Sequence, residues 1–171
     1  GFYQKQQADK DMAQEHLLFE MKQEWDKAED KSSSSLLSTL KTKYEKIEQD
    51  SQKKRALLFL ADSYFQAKNF GEAEKLYAES KATAGQDALI EDLARLGLAH
   101  VLEAKKDYSK ANEAYKSIID SPGPLPVFYV YLDLARSYEE SGDKKNAVLI
   151  LRDLEAKFPS HSDLEIVKKE L

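Results

Sequence analysis

The apolar residues of the chain fall three and four apart over most of its length, and in three stretches the same arrangement recurs. Leu60-Ala61 with Tyr64, Leu98-Ala99 with Leu102, and Leu134-Ala135 with Tyr138 are each followed, twelve residues after the alanine, by a second alanine at Ala73, Ala111 and Ala147. Four residues further on stand Tyr77, Tyr115 and Leu151, and three residues before the second alanines stand Phe70, Tyr108 and Lys144. The offsets between successive copies are 38 and 36 residues. This spacing predicts pairs of amphipathic helices joined by short turns. Alanine in register on both helices of a pair lets their backbones approach near the short end of the usual interaxial range, and the tyrosines and leucines a turn away fill the wider gaps.

The same reading carries through the rest of the chain. From Ala8 to Glu29 the apolar residues Met12, Leu17, Met21 and Trp25 predict one long amphipathic helix, broken by the serines at 32–35. Leu36, Leu37, Leu40, Tyr44 and Ile47 predict the next helix, so residues 8–50 form a degenerate first hairpin. Further hairpins are expected at 52–82, turning at Lys68-Asn69-Phe70-Gly71, at 88–119, and at 127–158, turning at Ser141-Gly142-Asp143. Gly85 suits the end of one helix and Asp87 the start of the next, and Gly142 and Asp143 stand in the same relation. Pro122, Pro124 and Pro126 cannot continue a helix and stiffen the link between the last two hairpins. Residues 163–171, with Leu164, Val167 and Leu171 on one face, start a capping helix. The whole of 1–171 reads as a single domain or one short repeat array.

Composition narrows the function. A hydrophobic fraction of 42%, a charged fraction of 33% and a net charge of −5 describe a helical protein whose lysines and acids are interspersed. No basic cluster or stripe offers a nucleic-acid surface. The absence of cysteine excludes disulfides, thiolate catalysis and cysteine-ligated metals. No apolar run reaches the roughly 20 residues of a membrane span. The opening Gly1-Phe2-Tyr3 reads in two ways, as the interfacial edge of a membrane helix preceding the sequence or as ordinary packing aromatics. His16, His100 and His161 belong to no HExxH pair, and neither a GxSxG elbow nor a phosphate-binding glycine loop is present. Acidic runs such as Glu139-Glu140 read as solvated helix faces, with nothing selecting one pair for acid–base work. The expectation is a protein without enzymatic activity, cofactor or metal.

The leucine, small-residue, tyrosine pattern, followed by alanine, aromatic and a closing proline at Pro159, resembles the tetratricopeptide repeat (TPR) family. The resemblance implies an all-α, TPR-like right-handed α-solenoid of antiparallel helix pairs, whose groove is walled by first-helix residues. On the family's pattern these are Arg55, Leu58, Asp62, Phe65 and Gln66 in the second hairpin, Leu93, Leu96, His100 and Glu103 in the third, and Tyr129, Leu132, Arg136 and Glu139 in the fourth. Where one TPR mode clamps a C-terminal carboxylate with lysine, this chain has Leu58, Leu96 and Leu132, which argues against chaperone-tail binding. Leucines with Phe65 and Tyr129 suit an apolar helix or extended segment, oriented by Arg55, Asp62 and Arg136. The competing reading has the leucines packing within the array, and His100 as a packing residue.

The order of parts, a long helix after an aromatic start, a serine-bearing break, a degenerate hairpin and then ALLFLADSYFQAKNFGEAEKLY, resembles the periplasmic TPR-like domain of the bacterial ancillary Sec-translocon subunit family. That resemblance implies the soluble part of a bacterial envelope adaptor or chaperone-like subunit. It would be displayed in the periplasm by an inner-membrane anchor and would contact translocon or envelope-assembly proteins. The ending LEAKFPSHSDLEIVKKEL is similar to other bacterial envelope TPR proteins. The alternatives are a structural or self-assembly scaffold with an idle groove, and a cytoplasmic TPR adaptor. From the alanine register, Ala111→Leu is expected to overpack the third hairpin and cost about 1–3 kcal/mol. A thermal melt indistinguishable from wild type would contradict the register.

Overall fold

A computed structural model describes residues 1–121 and 123–169. Among the described residues there are nine α-helices and no strand: α1 (Phe2–Lys27), α2 (Ser34–Glu45), α3 (Asp50–Gln66), α4 (Phe70–Thr83), α5 (Ala88–Ala104), α6 (Tyr108–Asp120), α7 (Phe128–Glu140), α8 (Lys144–Lys157) and α9 (Leu164–Lys168). They form two compact units, residues 1–94 and 95–171, with the division falling inside α5. Pro122 and Leu171, which the sequence places in the stiff link and on the capping face, lie outside the described residues.

In the first unit α3 packs on α4, and α1 packs on α2 and α3. α1 starts at Phe2, six residues before the apolar spacing predicts, because its first turns are built from good helix formers with no apolar face to mark them. Those turns are exposed on all sides, and burial begins at Leu18, Met21 and Trp25. Lys31 closes α1. Its ammonium reaches the carbonyl oxygens of Trp25 and Ala28 and lies 5.0 Å from the Trp25 ring centroid, a cation placed where the helix dipole is negative. Ser33 then caps α2, accepting the Leu36 N–H at 3.4 Å.

The alanine columns are buried as their spacing requires. Ala61 and Ala73 in the first unit, and Ala99, Ala111, Ala135 and Ala147 in the second, are all between 0% and 3% exposed. In the second unit Ala99, Ala111 and Ala147 share one core cluster with Tyr115, Ile118, Val130, Leu134 and Tyr138. A further cluster gathers Phe128, Tyr131, Ala135, Leu151 and Leu154 with Leu164 and Val167 of α9. Phe128 also stacks on the His161 ring at a centroid distance of 3.5 Å, which ties the segment after α8 back to α7.

The turns within the hairpins share one construction. After α3, Lys68 adopts a left-handed conformation (φ 62°), its N–H bonds to the Phe65 carbonyl and the next N–H, that of Asn69, reaches back to Tyr64. Lys106 (φ 64°) and Asp107 repeat the arrangement after α5, and Gly142 (φ 85°) and Asp143 after α7. These are Schellman closures, and the residue that completes each one is also the N-cap of the following helix. Asn69, Asp107 and Asp143 accept the N–H groups of Glu72, Lys110 and Asn146. Between α4 and α5, Gly85 (φ 61°) ends the segment after α4 and the Asp87 carboxylate accepts the Ile90 N–H at 3.1 Å.

Lysine in the left-handed region carries a steric cost that glycine avoids. Lys68→Gly and Lys106→Gly are therefore each expected to stabilise the chain by about 1 kcal/mol, and Gly142→Ala to destabilise it by a similar amount. Urea denaturation followed by helical circular dichroism reads all three signs.

Candidate functional site

Leu132, Arg136 and Glu139 are spaced four and three apart, so they share one face of α7, while His100 and Glu103 share a face of α5. In the second unit the Arg136 guanidinium crosses from α7 to α5 and grips Glu103 with two bonds, Nε to Oε2 at 2.8 Å and Nη2 to Oε1 at 2.9 Å. Its remaining terminal nitrogen lies 2.9 Å from Asp133 Oδ1. The other oxygen of Asp133 meets His100 Nε2 at 2.9 Å, and the Tyr115 hydroxyl donates to Glu103 Oε1 at 2.7 Å. Three of the expected groove residues, His100, Glu103 and Arg136, are thus joined in one network with Asp133 and Tyr115.

The chemistry of the network follows from burial. The Glu103 side chain is only 10% exposed. Burial pushes its carboxyl up, but the hydrogen bonds from Arg136 and Tyr115 and the guanidinium charge together outweigh this and hold it below the ordinary carboxylate range. Burial and the Glu103 charge push the Tyr115 phenol up, so it stays a neutral donor. Glu140, with Oε1 4.0 Å from Arg136 Nε, behaves oppositely: burial, then the neighbouring Glu103 charge, raise its carboxyl above the usual value. The Arg136 charge is spoken for by Glu103 and Asp133, so it has little left to orient an incoming carboxylate.

Beside this network lies an open cleft of about 230 Å³, lined by Leu132, Ala135, Arg136 and Glu139 of α7, Leu151 of α8 and Ile166 and Val167 of α9. Ile166 is 60% exposed. Leu132 is half-buried against the core cluster around Phe128 and Tyr131, and Leu96 packs in the same way on the cluster around Tyr115. Tyr129 is exposed and spends its hydroxyl on the Asp163 carboxylate. Sequence reasoning missed Asp133, which lies off the repeat's groove columns. It also missed the two α9 residues, although Val167 was marked by its spacing with Leu164.

In the first unit the expected residues do different work. Arg55 lines a cleft of about 290 Å³ with Gln52 of α3 and Glu15, Leu18, Phe19 and Lys22 of α1. Asp62 accepts the Tyr77 hydroxyl, and burial with that carboxylate raises the Tyr77 phenol. Phe65 meets Phe70 at a ring-centroid distance of 5.5 Å, inside its own hairpin. Leu58 and Leu93 are half-buried and Gln66 is exposed at the end of α3. Among the described residues no cluster of three or more histidine or carboxylate side chains could hold a metal, and no helix is long and apolar enough to cross a membrane.

The hairpin of α7 and α8 is the part that a family model picks out. Residues 129–161 match the tetratricopeptide repeat. Two crystal structures extend the likeness along the chain: TPR-like repeats of a protein assigned as a kinesin light chain from Podosopora anserina, one of them carrying a single substitution. They superpose with TM-scores of 0.64 and 0.63 at 16% and 18% identity, each covering 80% of this chain and 74% of the other. At these identities the likeness is one of fold. No curated protein matches by sequence. Tetratricopeptide repeats generally bind other proteins, through surfaces created by stacking the repeats.

The two network carboxyls have opposite pH signatures. Glu103 is held below its unfolded value, so its contribution is complete above about pH 4.3 and is lost as the pH falls through its folded value. Glu103→Gln should therefore lower neutral-pH stability by about 1–3 kcal/mol and flatten the acid limb. Glu140 is raised, so it costs stability at neutral pH, and Glu140→Gln should gain stability there and lose the gain in acid. Urea midpoints across pH, followed by circular dichroism, check both.

Proposed function

We propose that the chain is a protein–protein interaction module that holds a segment of another protein against the cleft of α7, α8 and α9. The observation that carries the reading is the partly uncovered aliphatic floor: Ile166 stands 60% exposed beside Leu132, Ala135, Leu151 and Val167, with polar groups of α7 at the edge. Tetratricopeptide repeats use their surfaces in this general way. The first-unit residues Arg55, Leu58, Asp62, Phe65, Gln66 and Leu93 are proposed as further contacts, Arg55 standing in a cleft beside the exposed Phe19 of α1.

The finer reading is that of the soluble part of a bacterial envelope adaptor or chaperone-like subunit. It rests on the order of parts in the sequence: the long first helix, the serine-bearing break and the degenerate first hairpin. On that reading the partners are translocon or envelope-assembly proteins, and the chain works in the periplasm beside the inner membrane. A cytoplasmic adaptor would use the same cleft on different partners. The self-assembly reading has one observation in its favour, the exposed Phe2, Tyr3, Met12 and Phe19 along α1.

Arg136 and Phe65 make poor probes, since Arg136→Glu would set a further carboxylate against Glu103 and Asp133, and Phe65 packs on Phe70. A photo-crosslinking residue at position 166, compared with one at the exposed Leu149, which does not line the cleft, avoids both problems. In envelope extracts, heterologous crosslinks from 166 but not from 149 are expected. Crosslinks only between copies of the chain would favour the scaffold, and partners found only in cytoplasmic extracts would move the adaptor there.

A further inference from the structure

The cleft of the second unit is as unbalanced in charge as it is apolar. Around Arg136 stand the carboxylates of Glu103, Asp133 and Glu140, and Glu139 completes the α7 edge, four acids about one guanidinium with His100 the remaining basic side chain of the network. Glu139 is exposed and makes no ion pair among the described residues. On α9, Lys168 pairs with Glu165 at 3.4 Å and the exposed Lys169 adds one cation, so the four acids still outnumber Arg136 and Lys169 together.

We infer that this cleft binds a basic protein segment, seating one aliphatic side chain on Leu132, Ala135, Leu151, Ile166 and Val167 while a lysine or arginine of the segment pairs with Glu139 and Glu140. The inference rests on the interaction-module reading above and gives its partner a chemistry. An acidic segment or a chain-terminal carboxylate would find Arg136 already bound twice over and would face the uncompensated acids. A cation arriving at Glu140 relieves the crowding by Glu103 that burdens this carboxylate in the free protein. A group that costs the free protein stability is accounted for when its partner arrives from another chain.

The spacing on α7 sets the spacing on the partner. From Ala135 to Glu139 is four residues, about 6 Å along the helix axis. The partner's basic group therefore stands about 6 Å from its anchor, which is one helical turn or two residues of extended chain.

The test uses three fluorescein-labelled helical peptides against the full chain, read by anisotropy. The first carries leucines with a lysine one turn from each, the second has glutamate for every lysine, and the third has serine for every leucine. The lysine–leucine peptide is expected to bind, with the other two about tenfold weaker or worse and the binding weakened by salt. Glu139→Lys and Ile166→Ser, both at exposed positions and checked by circular dichroism for native helix content, should each weaken it about threefold or more. Equal binding of the lysine and glutamate peptides, or preference for glutamate, overturns the charge assignment while leaving the interaction module standing. No binding by any peptide, with the chain sedimenting as an oligomer, overturns both.

Discussion

Everything in the fold depends on the turn in which one residue finishes a helix and begins the next. When the Schellman-closing N–H and the N-cap oxygen belong to the same residue, as at Asn69, Asp107 and Asp143, the chain has no slack between its helices. The second helix must come back along the first at close range. That closeness is tolerable only if the facing positions are small, which is why six alanines at the repeated positions are buried. The large side chains that fill the remaining space follow from those two constraints, Tyr115 and Leu151 occupying equivalent places in successive hairpins.

The polar chemistry is built on the same frame. Tyr77 and Tyr115 hold one repeat position, and each carries a buried hydroxyl that needs an acceptor from the preceding helix. Asp62 supplies it in one case and Glu103 in the other, one turn apart in repeat register. Leu151 at that position has no hydroxyl, so α7 is relieved of the duty and Arg136 is released to reach α5. Of the acids around Arg136, Glu103 is the one that the tyrosine at this repeat position accounts for.

How far the sequence could be read divides along physical lines. The alanine columns, the glycines at 85 and 142 and the caps at Asp87 and Asp143 were legible because each is a local requirement written at a fixed position. The left-handed lysines were not, because nothing in a lysine announces that it will take a glycine's place; only its position before Asn69 or Asp107 does. The start of α1 was hidden by the lack of an apolar face in its first turns. The Arg136 fork was hidden because it depends on how α5, α6 and α7 settle in register, which pairs residues 33 positions apart. The face of α7 could be predicted, but the half-burial of Leu132 and the addition of Ile166 required knowing where α9 lies.

The chain has a single tryptophan, and it sits in α1 beneath Lys31, within residues 1–94. Its emission is a local reporter of α1 docking on its neighbours, while backbone dichroism averages over every helix. Two optical transitions that fail to coincide would therefore be a statement about cooperativity between halves of the molecule rather than an experimental nuisance. A tryptophan signal alone speaks for the half that does not contain the Arg136 network.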